Sequence, residues 1–169
     1  MNVDIRPEQP ADGNAIRQVL LSAFPTDQEA NLVDRLRQNR RLWISLVAEN
    51  HGAIIGYIAI SAVTVASDSP GGRGAGVAPL AVRPQWQKRG IGGLLVQAGV
   101  SACKIAGLDF VVLLGEPEYY QRFGFRKASL LGLGNDYSAD EAFMALELRA
   151  QTVVTGTVHY APEFAELQV

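Results

Sequence analysis

The stretch "QWQKRGIGGLL", residues 85–95, decides how the chain is read. Lys88 and Arg89 run into Gly90, Gly92 and Gly93, and an apolar, helix-like run follows at once. The first amides of a helix have no partner within it and carry partial positive charge. Glycine lets an anion approach those amides with no Cβ in the way. The stretch therefore reads as a phosphate-holding turn.

The rest of the chain limits which phosphate compound this is. The 169 residues suit one domain, and 48% hydrophobic against 19% charged content excludes a disordered chain. Cys103 is the single cysteine, so no internal disulfide forms, which fits a reducing compartment. The opening "MNVDIRPEQPADG" has no apolar core of a signal peptide, and no uncharged stretch is as long as a membrane span. The expectation is a cytoplasmic protein, with no membrane partner. Net charge is −2, yet Ser69–Leu108 holds no acid and five bases, so that segment is +5 and the remainder −7. A local cationic region on an acidic chain favours a small anionic ligand over nucleic acid.

"NVDIR" alternates like a strand. Pro10 and Asp12 open a helix carrying Ile16, Val19, Leu20 and Phe24. In "TDQEANLVDRLRQ", Thr26 and Glu29 have the spacing of a capping box, with Leu32, Val33 and Leu36 on one face. "WISLVAE" and "AIIGYIAISAVTV" are strands joined by the turn "NHG", which leaves His51 exposed. "GVAPLAV" is the strand before the glycine turn. The helix after it is expected to bury Ile91, Leu94, Leu95, Ala98, Ala102 and Ile105, with Gly107 at its C-terminal cap. "FVVLL" is a strand covered on both faces, "EPEYYQRF" a short helix, and "AFMALEL" and "TGTVHY" are strands. A meander leading into a strand–helix–strand crossover is α/β in class.

No Walker A pattern is present. A dinucleotide fingerprint would use Gly90 and Gly92, but Leu95 stands at the third glycine position and Glu116 follows 26 residues after Gly90 rather than about 20. The pattern that fits is Gln-x-x-Gly-x-Gly, with Gln87, Gly90 and Gly92, followed in order by "YYQRFGF" at 119–125. Here the chain resembles the GCN5-related N-acetyltransferase (GNAT) family over roughly residues 2 to 150. "GEPEYYQRFGF", "EANLVDRL" and "GTVHYAPEF" resemble more narrowly the bacterial YhbS-like acetyltransferases, to the C-terminus.

The resemblance implies a GNAT-like mixed, mostly antiparallel twisted sheet with a central strand–helix–strand acyl-CoA-binding crossover and helices on both faces. It implies one N-acetyltransferase domain over 1–169, with 151–169 as an extension packed on it. The implied activity is direct transfer of acetyl from acetyl-CoA to a primary amine, without a metal; the rival is a non-catalytic acyl-CoA-binding module. The acceptor is a small-molecule amine or a protein or peptide amine. Homodimers are common among such proteins, and no stretch fixes an interface. The coenzyme falls to Leu80, Ala81 and Val82 on the strand and to Gln87, Lys88, Arg89, Gly90, Ile91, Gly92 and Gly93 on the loop, with an oxyanion donor among the amides near Leu80 or Ala81. Tyr120 is the implied acid for the leaving thiolate, and Tyr119 packs or lines the acceptor pocket. Glu29 and Glu116 are the candidate bases, and a water chain could replace either; the choice stays open because either carboxylate can serve its own helix. "ASDSPGGRG" and "LLGLGNDYSADEA" are expected to shape the acceptor pocket. Cys103 reads as core, His159 as core or acceptor site, and Arg35, Arg37, Arg40 and Arg41 as a solvated face.

Overall fold

The computed structural model describes residues 1–67, 72–150 and 155–167. Strand β1 is Val3–Pro7, followed by helices α1 (Gly13–Ala23) and α2 (Gln28–Gln38). Strands β2 (Leu42–Asn50) and β3 (Ala53–Ala66) form a hairpin through His51 and Gly52, both at positive φ, 49° and 81°. Two left-handed residues give the turn whose twist matches that of the strands it joins. Strand β4 (Gly74–Val82), helix α3 (Ile91–Ile105) and strand β5 (Phe110–Leu114) make the crossover. Then come α4 (Pro117–Gln121), β6 (Arg126–Lys127), β7 (Leu133–Asn135), β8 (Phe143–Glu147) and β9 (Gly156–His159).

The main path runs β1-β2-β3-β4-β5-β8-β6, with β9 paired to the far end of β3 and to β7. All pairs are antiparallel except β4–β5 and β7–β9. Alternation along β3 divides the core. Tyr57 and Ala59 face α1 and α2, where Ile16, Val19, Leu20 and Val33 pack. Ile58 and Ile60 face α3, where Ile91, Leu95 and Cys103 pack. The helices thus cover both faces, as expected from the sequence. The tail returns to α2: Phe164 packs on Leu32 and Leu36. Asn39 and Arg41 donate to the carboxylate of Glu163 at 2.7 and 2.9 Å, and Arg35 pairs with Glu166. Arg37 pairs with Glu8 and Asp34, so much of the second basic run is engaged in ion pairs.

The buried stripe of α3 differs from expectation. It runs Ile91, Leu95, Val96, Gly99 and Cys103, whereas Leu94 is 41% and Ile105 86% exposed. Gln97, Ser101 and Lys104, at i, i+4 and i+7, mark the exposed face, and Gly99 faces the sheet: a Cβ there would lie 2.9 Å from Cδ1 of Ile60 and 3.3 Å from that of Ile58. The helix therefore turns its glycine to the sheet at the point of close approach.

Gly99→Leu should lower unfolding free energy by about 1–3 kcal/mol through overpacking against β3. A urea midpoint equal to wild type would show that α3 does not ride on the sheet at this residue.

Candidate active site

Two strands that part create the site. Parallel pairing of β4 with β5 covers only Gly74–Gly76 opposite Phe110–Val112. Beyond Gly76, β5 continues with β8, while β4 stays with β3 through a register shift next to Pro79. Proline has no N–H to give a neighbouring strand. The Val77–Val82 edge of β4 is left open on the β5 side.

The register tells which amides look into the gap. Arg83 N donates to the Ile55 carbonyl at 2.8 Å, and Ala81 stands opposite Tyr57. Alternation directs the amides of Ala81 and Arg83 to β3, and those of Leu80 and Val82 to the open edge. In agreement, the Val82 carbonyl accepts from Nε2 of Gln87 at 3.0 Å. Ala81 packs its side chain on the α1 face, away from the gap.

On one side of this edge lies a groove of about 500 Å³. Leu80, Val82, Gln87, Lys88, Gly90, Ile91, Gly92 and Gly93 line it, facing Tyr119, Arg122 and Phe123 from the α4 side. Gly90 caps α3 at φ 82°, and among the described residues no side chain caps its first turn. The amides of that turn are free for an anion. The groove leaves little room for larger side chains at its floor: a Cβ on Gly92 would lie 2.9 Å from the Tyr119 hydroxyl, and one on Gly93 3.2 Å from the Phe123 ring. Arg89 lies over Trp86 at 5.2 Å, and Arg122 over Tyr119 at 4.8 Å. Tyr119 thus lines the groove of the glycine turn rather than the opposite cavity. Trp86, Arg122 and Phe123 are lining residues that sequence reasoning did not single out, although "YYQRFGF" contains two of them.

On the other side lies a cavity of about 320 Å³, bounded by Val77 and Ala78 of β4 and Leu114 of β5. Glu29, Phe24, Tyr137, Tyr160, Phe164 and Leu167 complete it. Tyr137 comes from the segment "LLGLGNDYSADEA". Of "ASDSPGGRG", residues 68–71 lie outside the described residues, and Arg73 lies over Trp43 instead. Tyr160, Phe164 and Leu167 were not foreseen as lining; their signal is "HYAPEF", aromatics in a tail that sequence alone does not place.

The expected capping box of α2 is absent. The N-cap is Asp27, with no side-chain cap bond, and Thr26 Oγ1 sits 3.4 Å from the Gln28 amide. The helix starts one residue later than the box requires, so Glu29 is released from its end. Its Oε2 is buried and has no hydrogen-bond partner. Glu116, by contrast, is an exposed N-cap of α4 and lines neither the groove nor the cavity.

Tyr120 packs on Gly115, one residue past Leu114: a Cβ at Gly115 would lie 2.3 Å from the ring. Phe125 meets the same ring edge-on at 6.0 Å. Burial pushes the Tyr120 phenol up to about 12, and the neighbouring Tyr119 adds to the shift. Burial likewise pushes the Cys103 thiol up to about 12 within the core. His159 is partly exposed, with Nδ1 2.5 Å from a carboxylate oxygen of Asp136. Among the described residues, no group of three or more His, Cys, Asp or Glu is placed to hold a metal.

A glycine-bearing helix start beside an open strand edge suits a phosphate-bearing ligand with an arm laid along the strand, and comparison with known proteins gives the class. Residues 39–127 match the acetyltransferase (GNAT) domain. The chain belongs to the GNAT acetyltransferase family. It is 37% identical over 164 residues to the uncharacterized N-acetyltransferase YhbS of Escherichia coli K12, covering 95% of this chain and 97% of that one. The crystal structure of Escherichia coli YhbS with CoA superposes at TM-score 0.93, with 34% identity, over 100% of this chain and 95% of that one. A Brucella melitensis GNAT acetyltransferase bound to acetyl-CoA gives TM-score 0.81 at 34% identity, over 96% and 98%.

Because Thr26 does not cap α2, Thr26→Ala should change stability by less than about 0.5 kcal/mol, where loss of a true N-cap costs roughly 0.5–2. Thermal or urea unfolding reads the difference; a full capping loss in this variant would restore the box.

Proposed function

We propose that the chain is an acetyl-CoA-dependent N-acetyltransferase acting on a primary amine in a ternary complex, and that it works as one catalytic domain. The observation that carries this is the open edge of β4, with free helix amides on one side and a cavity holding an unpartnered carboxylate on the other. The groove fits the co-substrate. The amides of Ile91, Gly92 and Gly93, with Lys88 beside them, suit its pyrophosphate, and the edge amides suit its amide-bearing arm. Acetyl-CoA supplies a thioester, whose carbonyl carbon accepts the amine and whose thiolate leaves.

The residues then divide the work. The amide of Leu80, pointing into the gap, donates to the carbonyl oxygen as negative charge develops there. Glu29 takes the proton that the amine sheds while the C–N bond forms. The C–S bond breaks, and Tyr120 gives its proton to the thiolate sulfur. Glu29 and Tyr120 return to their starting states by proton exchange with solvent. The raised phenol stays protonated at neutral pH, and the same rise makes it a weaker donor than a free phenol, so its position rather than its acidity carries the step. Cys103 has no part in it: its thiol is buried in the core.

Acetyl-CoA should bind in a calorimetric titration where NADH and ATP do not; preference for either nucleotide would overturn the reading. Tyr120→Phe should lower kcat by about 10²-fold or more while acetyl-CoA affinity is retained. The sign with pH follows from the direction of the shift. The acid works protonated, so wild-type turnover should show no alkaline fall from Tyr120 until pH approaches about 12. A fall near pH 10 that is missing in Tyr120→Phe would place the phenol at its ordinary value and contradict the burial described.

A further inference from the structure

The acceptor cavity carries more information than the reaction class. Its charge is single: Glu29 is the one charged residue among the described lining. Two of its polar atoms are buried without a partner, Oε2 of Glu29 and the hydroxyl of Tyr160. Buried polar groups are nearly always paired in native proteins, so an unpaired couple in one cavity marks a place where a ligand supplies the missing partners. A primary ammonium has three N–H donors, enough for both oxygens.

The other walls are apolar or aromatic. Tyr160 meets Tyr137 edge-on at 5.8 Å and Phe164 at 5.1 Å, giving a continuous aromatic wall. Such faces hold hydrocarbon and attract a cation near them. Glycine keeps this wall in place: a Cβ on Gly76 would lie 2.3 Å from the Tyr160 ring. At about 320 Å³ the cavity sits at the low end of small-molecule sites, roughly 300–1,000 Å³.

We propose that the acceptor is a small primary amine on a single apolar arm, docked at Glu29 as its ammonium, which sheds one proton through Glu29 to solvent before the neutral amine attacks, with its carbon skeleton against Tyr137, Tyr160 and Phe164. This inference rests on the transferase reading above. A polyamine would bring a second ammonium into walls that hold no second carboxylate among the described residues. A lysine within a peptide carries a backbone that must stay at the mouth of the cavity, where the described lining offers it few polar partners.

The test is a steady-state thiol-release assay on the full chain with saturating acetyl-CoA. Hexylamine and phenethylamine are compared with spermidine and an Nα-blocked lysine peptide. The expected result is kcat/KM at least about tenfold higher for the two apolar amines, the scale on which a pocket built for hydrocarbon discriminates. Equal or faster turnover of spermidine or the peptide overturns the acceptor class and leaves the transferase reading standing. Acetyl-CoA binding with no thiol release from any of the four amines overturns both. Phe24→Ala, at a partly exposed wall position, should raise KM for hexylamine roughly tenfold with KM for acetyl-CoA unchanged. An unchanged hexylamine KM in a folded Phe24→Ala protein removes this cavity as the acceptor site.

Discussion

Beyond Gly76, β4 loses its partner on the β5 side, and the functional architecture follows from that loss. A strand edge inside a sheet is normally paired, because exposed N–H and C=O groups invite pairing with another chain. Here the edge lies within a cleft, and the register assigns its free amides to Leu80 and Val82. Pro79, which has no N–H, and the register shift beside it bend β4 away while β5 runs on with β8. The gap separates the sheet into a side served by α3 and α4 and a side served by α2 and the tail.

The close packing around the gap relies on small residues at a few positions. Phe110 lies on Gly74, Tyr160 on Gly76 and Tyr120 on Gly115, each where a Cβ would fall within 2.3 Å of the ring. Each ring can approach the backbone because the glycine leaves the space. Phe110 belongs to the core beneath the parallel pair, Tyr160 lines the proposed acceptor cavity, and Tyr120 is the proposed proton donor. Packing and chemistry therefore share the same contacts.

The tail closes the cavity by a mixture of forces. Phe164 buries itself against Leu32 and Leu36, while Glu163 takes hydrogen bonds from Asn39 and Arg41. Burial raises the Glu163 carboxyl, but Asn39 and Arg41 outweigh it and the net shift is downward. By linkage, a lowered native pKa is stability held above the ordinary carboxylate range and lost as pH falls through the native value. The Glu163 contacts thus add to the hold of the tail on α2 at neutral pH, and that contribution is lost in acid.

The sequence by itself determined the elements, their order and the glycine turn. These are local properties: alternation, 3.6-residue periodicity and the spacing of Gln87, Gly90 and Gly92 depend on neighbours along the chain. In α3 the polar residues Gln97, Ser101 and Lys104 mark the exposed face locally, but burial of Val96 and Gly99 rather than Leu94 and Ile105 depends on the close approach to Ile58 and Ile60 of β3. The start of α2 was not local either. Thr26 and Glu29 have the right spacing for a box, and tertiary packing begins the helix at Gln28 instead, sending the carboxylate to the cavity. The cavity itself is drawn from α1, α2, β4, β5, the segment before β8 and the tail. No window of sequence contains such a set. Only the folded chain brings Phe24, Glu29, Ala78, Tyr137 and Tyr160 to one place, because burial of their apolar surface, and not their spacing, is what unites them.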